Sequence, residues 1–414
     1  MKSLIIFLTL LTFTFISKFF PKTKAICIIC LMTLLSSNAL YGAINVRERP
    51  YRARGNGIAN DFSAIQAAIN AAPTPGAVYL PAGTYRIDRT LIMKPFLSLY
   101  GDGIGATVLE MASGCQAVLK YFAPDYSRDN IEVSKMTIRS APNAVNVTGI
   151  YTKLSSANLY HDLAFKGVRY TLHIDTGLFQ FLSNIMVEQY GDNNCGELLI
   201  ESTIGQYSQH ININGYITAH AHTGPEAIRL SRATNVTMTG ISIYAAGTCV
   251  DGIVIEDDSQ GISITNSQII ATQNGILTRE RSGNTPGWID IIGVHVDQAR
   301  VFGVNLQQGF RINIIGGQYT FGGQGINIGT DQTRIIGTTV DGMSANGIVV
   351  MSNVSNFIIS NNMVVNNNYC GIVVSAGTGD YFIISGNRSI NNTNGNFSDS
   401  ATGLHKRVSL DNLW

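Results

Sequence analysis

The chain has 414 residues, 45% of them hydrophobic and 13% charged, so it can bury one large core. A formal charge of +1 at pH 7 leaves no electrostatic footprint for nucleic acid or for an anionic membrane. The six cysteines show no zinc-type Cys/His spacing.

Two apolar stretches, residues 4–17 and 25–35, open the chain, each with lysines near its edges. Both are shorter than the roughly 20 apolar residues a spanning helix needs. Lys22 and Lys24 precede the second stretch, and Ser37-Asn38-Ala39 follows it as a small-residue cleavage site. Residues 1–43 therefore read as an export leader, with a retained membrane-targeting segment as the other reading. The expected location is secreted, periplasmic or at the cell envelope. Losing the leader removes Cys27 and Cys30. Cys115, Cys195, Cys249 and Cys370 remain, too scattered for a disulfide framework, and are expected as buried small apolar residues.

Asp61 can cap a short helix in which Phe62, Ile65, Ile69 and Ala72 recur at helical spacing. Pro73 and Pro75 stop it, and Ala77-Val78-Tyr79-Leu80 follows as a short strand. Such a helix, placed before a stack of strands, covers the open edge of the first one. The runs Ala64–Ile69, Val78–Tyr85 and Leu99–Gly103 resemble the opening of pectate-lyase-superfamily proteins. More narrowly, they are similar to the polygalacturonase-related branch with rhamnogalacturonase-like, epimerase-like and phage tailspike domains. Tyr51-Arg52-Ala53-Arg54-Gly55-Asn56-Gly57 is similar to that family's lead-in, with Arg52 in place of a glycine. The resemblance implies a right-handed parallel β-helix that acts on polysaccharide.

From residue 200 onward two registers repeat. An apolar-x-apolar-x-(Gly/Asn) pattern ends at Gly215, Gly240, Asn266, Gly293, Gly316, Gly337, Asn361 and Gly386, in steps of 21 to 27 residues. A second pattern, Gly-(Ile/Val)-x-apolar, starts at Gly252, Gly275, Gly303, Gly325, Gly347 and Gly371. Weaker copies at Tyr160–Phe165 and Asn130–Val133 extend the series back. Short β-branched strands at this period, almost without helix signal, specify an all-β solenoid, a single-stranded parallel β-helix, over residues 44–390. The asparagine-rich stretch from residue 391 to 414 reads as a polar tail.

In a solenoid, one position per turn lines up into a surface stripe. The second register then places Asp175, Glu201, Ser231, Glu256, Arg279 and Gln307 in one outward column, with His173 and Arg229 two residues away on the same face. Cleavage of a glycosidic bond by hydrolysis needs two carboxyl groups, one as acid and one as base or nucleophile. Glu201, Glu256 and Asp175 are the candidates. Elimination needs a base at the sugar C5 and positive charge beside the substrate carboxylate. Arg229 and Arg279 suit that positive charge and would position an acidic sugar, His173 is an auxiliary group beside them, and Ca²⁺ on Glu256, Asp257 and Asp258 would be possible in a lyase. No other metal or cofactor is expected.

A second stripe, Tyr244, Asp297, Thr320 and Asp341 with His295, carries less charge. His220 and His222 lie in a loop that could border a groove, and Tyr160, Tyr170, Tyr190, Tyr207, Tyr216 and Tyr244 could stack sugars. Asp257-Asp258 is similar to the paired aspartates of polygalacturonases. The Asn-Thr-Asp, Gly-His-Gly and Arg-Ile-Lys elements of that family are absent, as is the Asp-Pro-His element of alginate epimerases. The expected function is an exported enzyme that degrades an acidic or complex polysaccharide by hydrolysis or β-elimination. A non-catalytic glycan-binding or adhesin-like β-helix is the alternative. The expected partner is polysaccharide and not nucleic acid; the sequence does not give the oligomeric state.

Overall fold

The computed structural model describes residues 42–112, 117–125, 128–188, 196–219, 226–245, 251–270, 272–408 and 411–414. The leader, Cys115, Cys195, Cys249, Tyr190, His220 and His222 lie outside the described residues. Residues 43–414 form one unit, and no helix among the described residues is long and apolar enough to cross a membrane.

The chain coils as a parallel β-helix in which each strand pairs with its counterpart one turn later. A first sheet of 13 strands, one per turn, runs from Leu91–Ile92 to Phe397–Asp399. A second sheet of 25 strands forms the rest of the wall, turning a corner between segments such as Gln260–Thr265 and Gln268–Ile270. Alternation fills the interior. Ile228, Ile253, Ile276, Val304, Ile326, Ile348 and Ile372 pair in register on successive turns, and none has exposed surface. Burying each contributes about 1.5–3 kcal/mol, which a single turn alone cannot gain.

Both sequence registers have a physical cause. The residues that close the first pattern, from Gly215 and Gly240 to Asn361 and Gly386, turn the corner of the second sheet with φ between 47° and 70°. Glycine and asparagine enter that left-handed region at least cost. The second column needs glycine for space. A Cβ on Gly252, Gly275, Gly303, Gly325 or Gly347 would lie 2.4–2.7 Å from the carbonyl oxygen of the next glycine in the series. Gly275→Ala is accordingly expected to cost about 1–3 kcal/mol through overpacking, read as a lower urea midpoint. An unchanged midpoint would mean that adjacent turns slide apart freely.

The helix Phe62–Ala71 forms where the spacing predicts, with Ile65, Ala68 and Ile69 buried. It covers the sheet edge through Gln66, whose amide accepts from the Ile92 N–H (2.8 Å) and donates to the Ile92 carbonyl (3.0 Å). Asp61 differs from expectation. Its side chain makes no cap on the helix and accepts instead from the Arg54 and Gly55 N–H groups at 2.6 and 2.9 Å. The lead-in loop is thereby tied to the helix.

The expected tail is also corrected. Beyond Ile390 the chain adds another turn, with Phe397–Asp399 pairing onto Ile372–Val374 and Lys406–Val408 onto Phe382–Ile384. Asparagines build this end rather than loosen it. The Asn362 amide donates to Asn387 Oδ1 and the Asn387 amide to Asn412 Oδ1, both at 2.9 Å, a ladder that satisfies buried polar groups turn by turn.

Candidate active site

Asp175, Glu201, Ser231, Glu256 and Arg279 occupy one column on five consecutive turns of the first sheet, in the order that the spacing gives. Lys153 precedes Asp175 in that column and Tyr151 precedes His173 in the next. The sequence reading passes over both, although each stands 22 residues before its partner. Strict in/out alternation does not hold on this sheet: the outward residues Leu199, Val254 and Leu277 are buried too. The charged groups among them are therefore sheltered, and their pairing decides what each can do.

Asp175 is clamped. Its carboxylate meets Lys153 Nζ at 2.8 Å and accepts from the hydroxyl and N–H of Thr203 and from the Thr176 hydroxyl at 2.7–3.0 Å. Burial pushes this carboxyl up, but Lys153 and the threonine donors outweigh it and hold the group below the usual carboxylate range. An acid held ionised and 1% exposed anchors the wall and cannot donate a proton.

Glu256 is encased, with no exposed surface. Oε1 faces Arg229 Nη1 at 3.2 Å and Arg281 Nη1 at 3.5 Å, and Oε2 accepts from Arg279 Nε at 2.8 Å. Arg229 also donates to Glu197 (2.9 Å) and Arg279 to Glu226 (2.9 Å). The pairing of Glu256 with Arg279 on adjacent turns is thus one edge of a network of three carboxylates and three guanidiniums. Burial pushes the Glu197 carboxyl above its ordinary range against the pull of Arg229, and its Oε2 is buried without a hydrogen-bond partner. The geometry corrects three expectations. Glu256 is a buried structural charge, and Arg229 and Arg279 are committed to protein carboxylates rather than held ready for a substrate's.

Glu201 and His173 remain. Glu201 Oε1 lies 2.7 Å from His173 Nε2, with side chains 23% and 18% exposed. A carboxylate only accepts, so Nε2–H donates in this contact and Nδ1 is the ring nitrogen turned away from Glu201. The Tyr151 ring stacks on the imidazole at 4.5 Å, Phe122 meets Tyr151 edge-on at 5.0 Å, and Tyr170 tilts against His173 at 5.6 Å. Lys120 extends this wall, its Nζ 4.1 Å above the Phe122 ring. The result is a partly open proton-transfer pair with an aromatic border and a cation two turns away.

The second stripe is in register as well, with Tyr244, Ile270, Asp297, Thr320 and Asp341 on successive turns. Its polar groups satisfy each other: the Thr320 hydroxyl donates to Asp297 at 2.8 Å and the Asn366 amide to Asp341 at 2.9 Å. Of the expected stacking residues, Tyr160 and Tyr216 are fully buried. The residues considered for Ca²⁺ do not fit it. Asp257 accepts from the N–H groups of Arg281 and Ser282 at 2.9 and 2.7 Å, and Asp258 from Tyr207 and Gln260. Among the described residues no group of three or more His, Cys, Asp or Glu comes together to hold a metal.

The family profile Rhamnogalacturonase A/epimerase, pectate lyase-like, matches residues 43–277, which takes in the column from Lys153 to Glu256. In sequence the chain is 40% identical over 88 residues to mannuronan C5-epimerase AlgE1 of Azotobacter vinelandii, across 19% of this chain and 6% of that protein. It is 40% identical over 79 residues to alginate lyase 7 of the same organism, across 17% of this chain and 9% of the other. The chain therefore matches only a small part of these relatives' length. Among solved structures, the A-module of the A. vinelandii epimerase AlgE6 superposes with a TM-score of 0.56 at 17% identity, covering 89% of this chain and 98% of the module. At that identity the likeness is one of fold.

Proposed function

Because the chain belongs to the rhamnogalacturonase A/epimerase family of pectate lyase-like proteins, we propose that it degrades an acidic polysaccharide by β-elimination on the outer face of the first sheet. The observation that carries this reading is the 2.7 Å His173–Glu201 contact, a pair on this face with both partners partly exposed once Asp175 and Glu256 are spent. Hydrolysis asks for two available carboxyl groups flanking the bond, and this column offers one. Elimination asks for a base and a positive charge.

His173 Nδ1 takes the proton from C5 of a uronate. The C5–H electron pair becomes the C4=C5 double bond, the C4–O bond breaks, and the imidazolium returns its proton to the leaving oxygen. Glu201 stabilises that imidazolium, as a carboxylate does for a catalytic histidine. Tyr151 and Phe122 border the sugar, and Lys120 supplies charge for its carboxylate. The activities in the names of the two curated relatives also act on a uronate polymer, which supports the substrate class. The leader, read as an export signal, would deliver the enzyme to where such polymers are met.

The test is a reducing-end assay on uronate polymers, with ultraviolet absorbance of the unsaturated product followed in parallel. Absorbance rising with new ends supports elimination. New ends without absorbance mean hydrolysis, and tight binding without either means a glycan-binding module; each overturns the proposal.

A further inference from the structure

The other face of the solenoid holds a feature that the reaction does not use. On the outer side of the second sheet, across the turns from Gln260–Thr265 to Phe382–Ser385, lies a groove of about 860 Å³. Two columns line it. One carries Ser263, Asp290, Asn313 and Arg334. The other follows from the same register and carries Gly261, Trp288, Arg311, Gln332, Asn356 and Tyr381.

The second column is where the chain does something costly. Each of its residues has a left-handed backbone, with φ between 53° and 65°. Glycine and asparagine suit that conformation, and Gly261 and Asn356 obey the rule; for a bulky L-residue it costs roughly 1–2 kcal/mol. Trp288 and Tyr381 bear that cost while remaining 51% and 61% exposed, Tyr381 with one ring face stacked on His405 at 4.7 Å and the other open. Backbone strain of this kind, kept at exposed aromatic side chains, points to use by a ligand.

The groove's chemistry narrows the ligand. Arg311 packs on one face of the Trp288 indole at 4.1 Å, and Gly261, one turn back, leaves no side chain of its own against the other face. Asn313 donates to Asp290 at 2.7 Å and Arg311 to Gln332 at 2.9 Å, so the floor is built of amides and one carboxylate. Neither Arg311 nor Arg334 forms an ion pair among the described residues. Two such cations against one aspartate leave a net positive groove, and five turn spacings make it about 24 Å long. Two aromatic platforms four turns apart, amides between them and guanidiniums without a carboxylate partner suit a chain of sugar rings bearing carboxylates. A nucleic-acid strand would want a denser cationic lining.

We propose that this groove is a second, non-catalytic binding site for an anionic glycan chain, gripped by Trp288 and Tyr381 and held by Arg311 and Arg334. It lies on a different sheet from the His173–Glu201 pair, and its test is binding, so it stands or falls separately from the catalytic reading.

The chain has two tryptophans, and Trp414 stacks on Phe397 at 4.4 Å, so the Trp414→Phe protein reports Trp288 fluorescence alone. Titration with oligogalacturonate or oligomannuronate is expected to shift that emission, while neutral dextran and a DNA oligonucleotide do not. Trp288→Asn and Tyr381→Asn, with binding followed by calorimetry, are each expected to weaken affinity about tenfold or more (about 1.4 kcal/mol). Both place a residue suited to the left-handed backbone, so the urea midpoint stays equal or rises, which separates lost contact from lost folding. His173→Ala keeps this binding. Undiminished affinity in the asparagine variants, a silent Trp288 in saturating oligouronate, or a response to DNA alone would each overturn the proposal.

Discussion

Replacing Glu201 by Gln is expected to slow chain cleavage by about a hundred- to ten-thousandfold, the usual worth of a positioned acid–base group. Glutamine keeps the shape and an acceptor oxygen for His173 Nε2 (2.7 Å in the native pair), so the histidine keeps its orientation. What disappears is the negative charge that steadies the imidazolium once His173 has taken the proton. The loss should therefore fall on kcat with little change in KM. His173→Ala is expected to cost at least as much, and the double variant no more than His173→Ala alone, because the two act as one unit. A Glu201→Gln protein that retains native kcat on a substrate the native enzyme cleaves would remove the carboxylate from the mechanism. Additive losses in the double variant would mean that the two residues act in separate steps.

The fold is legible in this sequence because its cause is local and repeated. A left-handed corner recruits Gly or Asn at Gly240, Asn266 and Gly293, and a crowded column recruits glycine at Gly252, Gly275 and Gly303. Both constraints recur each turn and print a period on the chain. Register also carried over to the charged column, since Asp175, Glu201, Ser231, Glu256 and Arg279 do stand side by side. Their state of pairing was not legible. Whether Glu256 faces water or three guanidiniums depends on side chains from three turns and on Arg281 beyond the strand, and no periodic pattern encodes that. The aromatic groove was missed for a related reason: Trp288 and Tyr381 stand five residues before Gly293 and Gly386, at a corner that neither repeating register marks. The end of the chain misled by composition. Asn391–Asn396 looks like a loop, yet Asn392 and Asn396 bond each other and Asn367 inside the stack.

The largest expected effect on stability lies at Glu256. Glu256→Ala removes the carboxylate shared by Arg229, Arg279 and Arg281 and leaves guanidiniums facing one another in a buried setting. Deleting one partner of a buried ion pair costs about 3–5 kcal/mol, and here two partly buried cations, Arg229 and Arg279, lose the same fully buried anion. In a solenoid each turn contacts only its neighbours, so the damage should concentrate at the strands Glu226–Ser231, Asp251–Glu256 and Asn274–Arg279. Hydrogen exchange there should accelerate well before exchange at Ile348–Val350 changes, and urea unfolding should separate into two steps as the halves uncouple. Replacing the pair with apolar residues of similar volume, Glu256→Leu with Arg229→Met, is expected to recover much of the loss, since a packed apolar contact matches a buried ion pair once no charge is stranded. An unchanged midpoint for Glu256→Ala would dissolve the network as a source of stability. Glu256→Gln separates structure from chemistry: if it folds with native stability yet loses cleavage as fully as Glu201→Gln, Glu256 belongs to the reaction after all, and a two-carboxylate hydrolysis becomes the better account of this face.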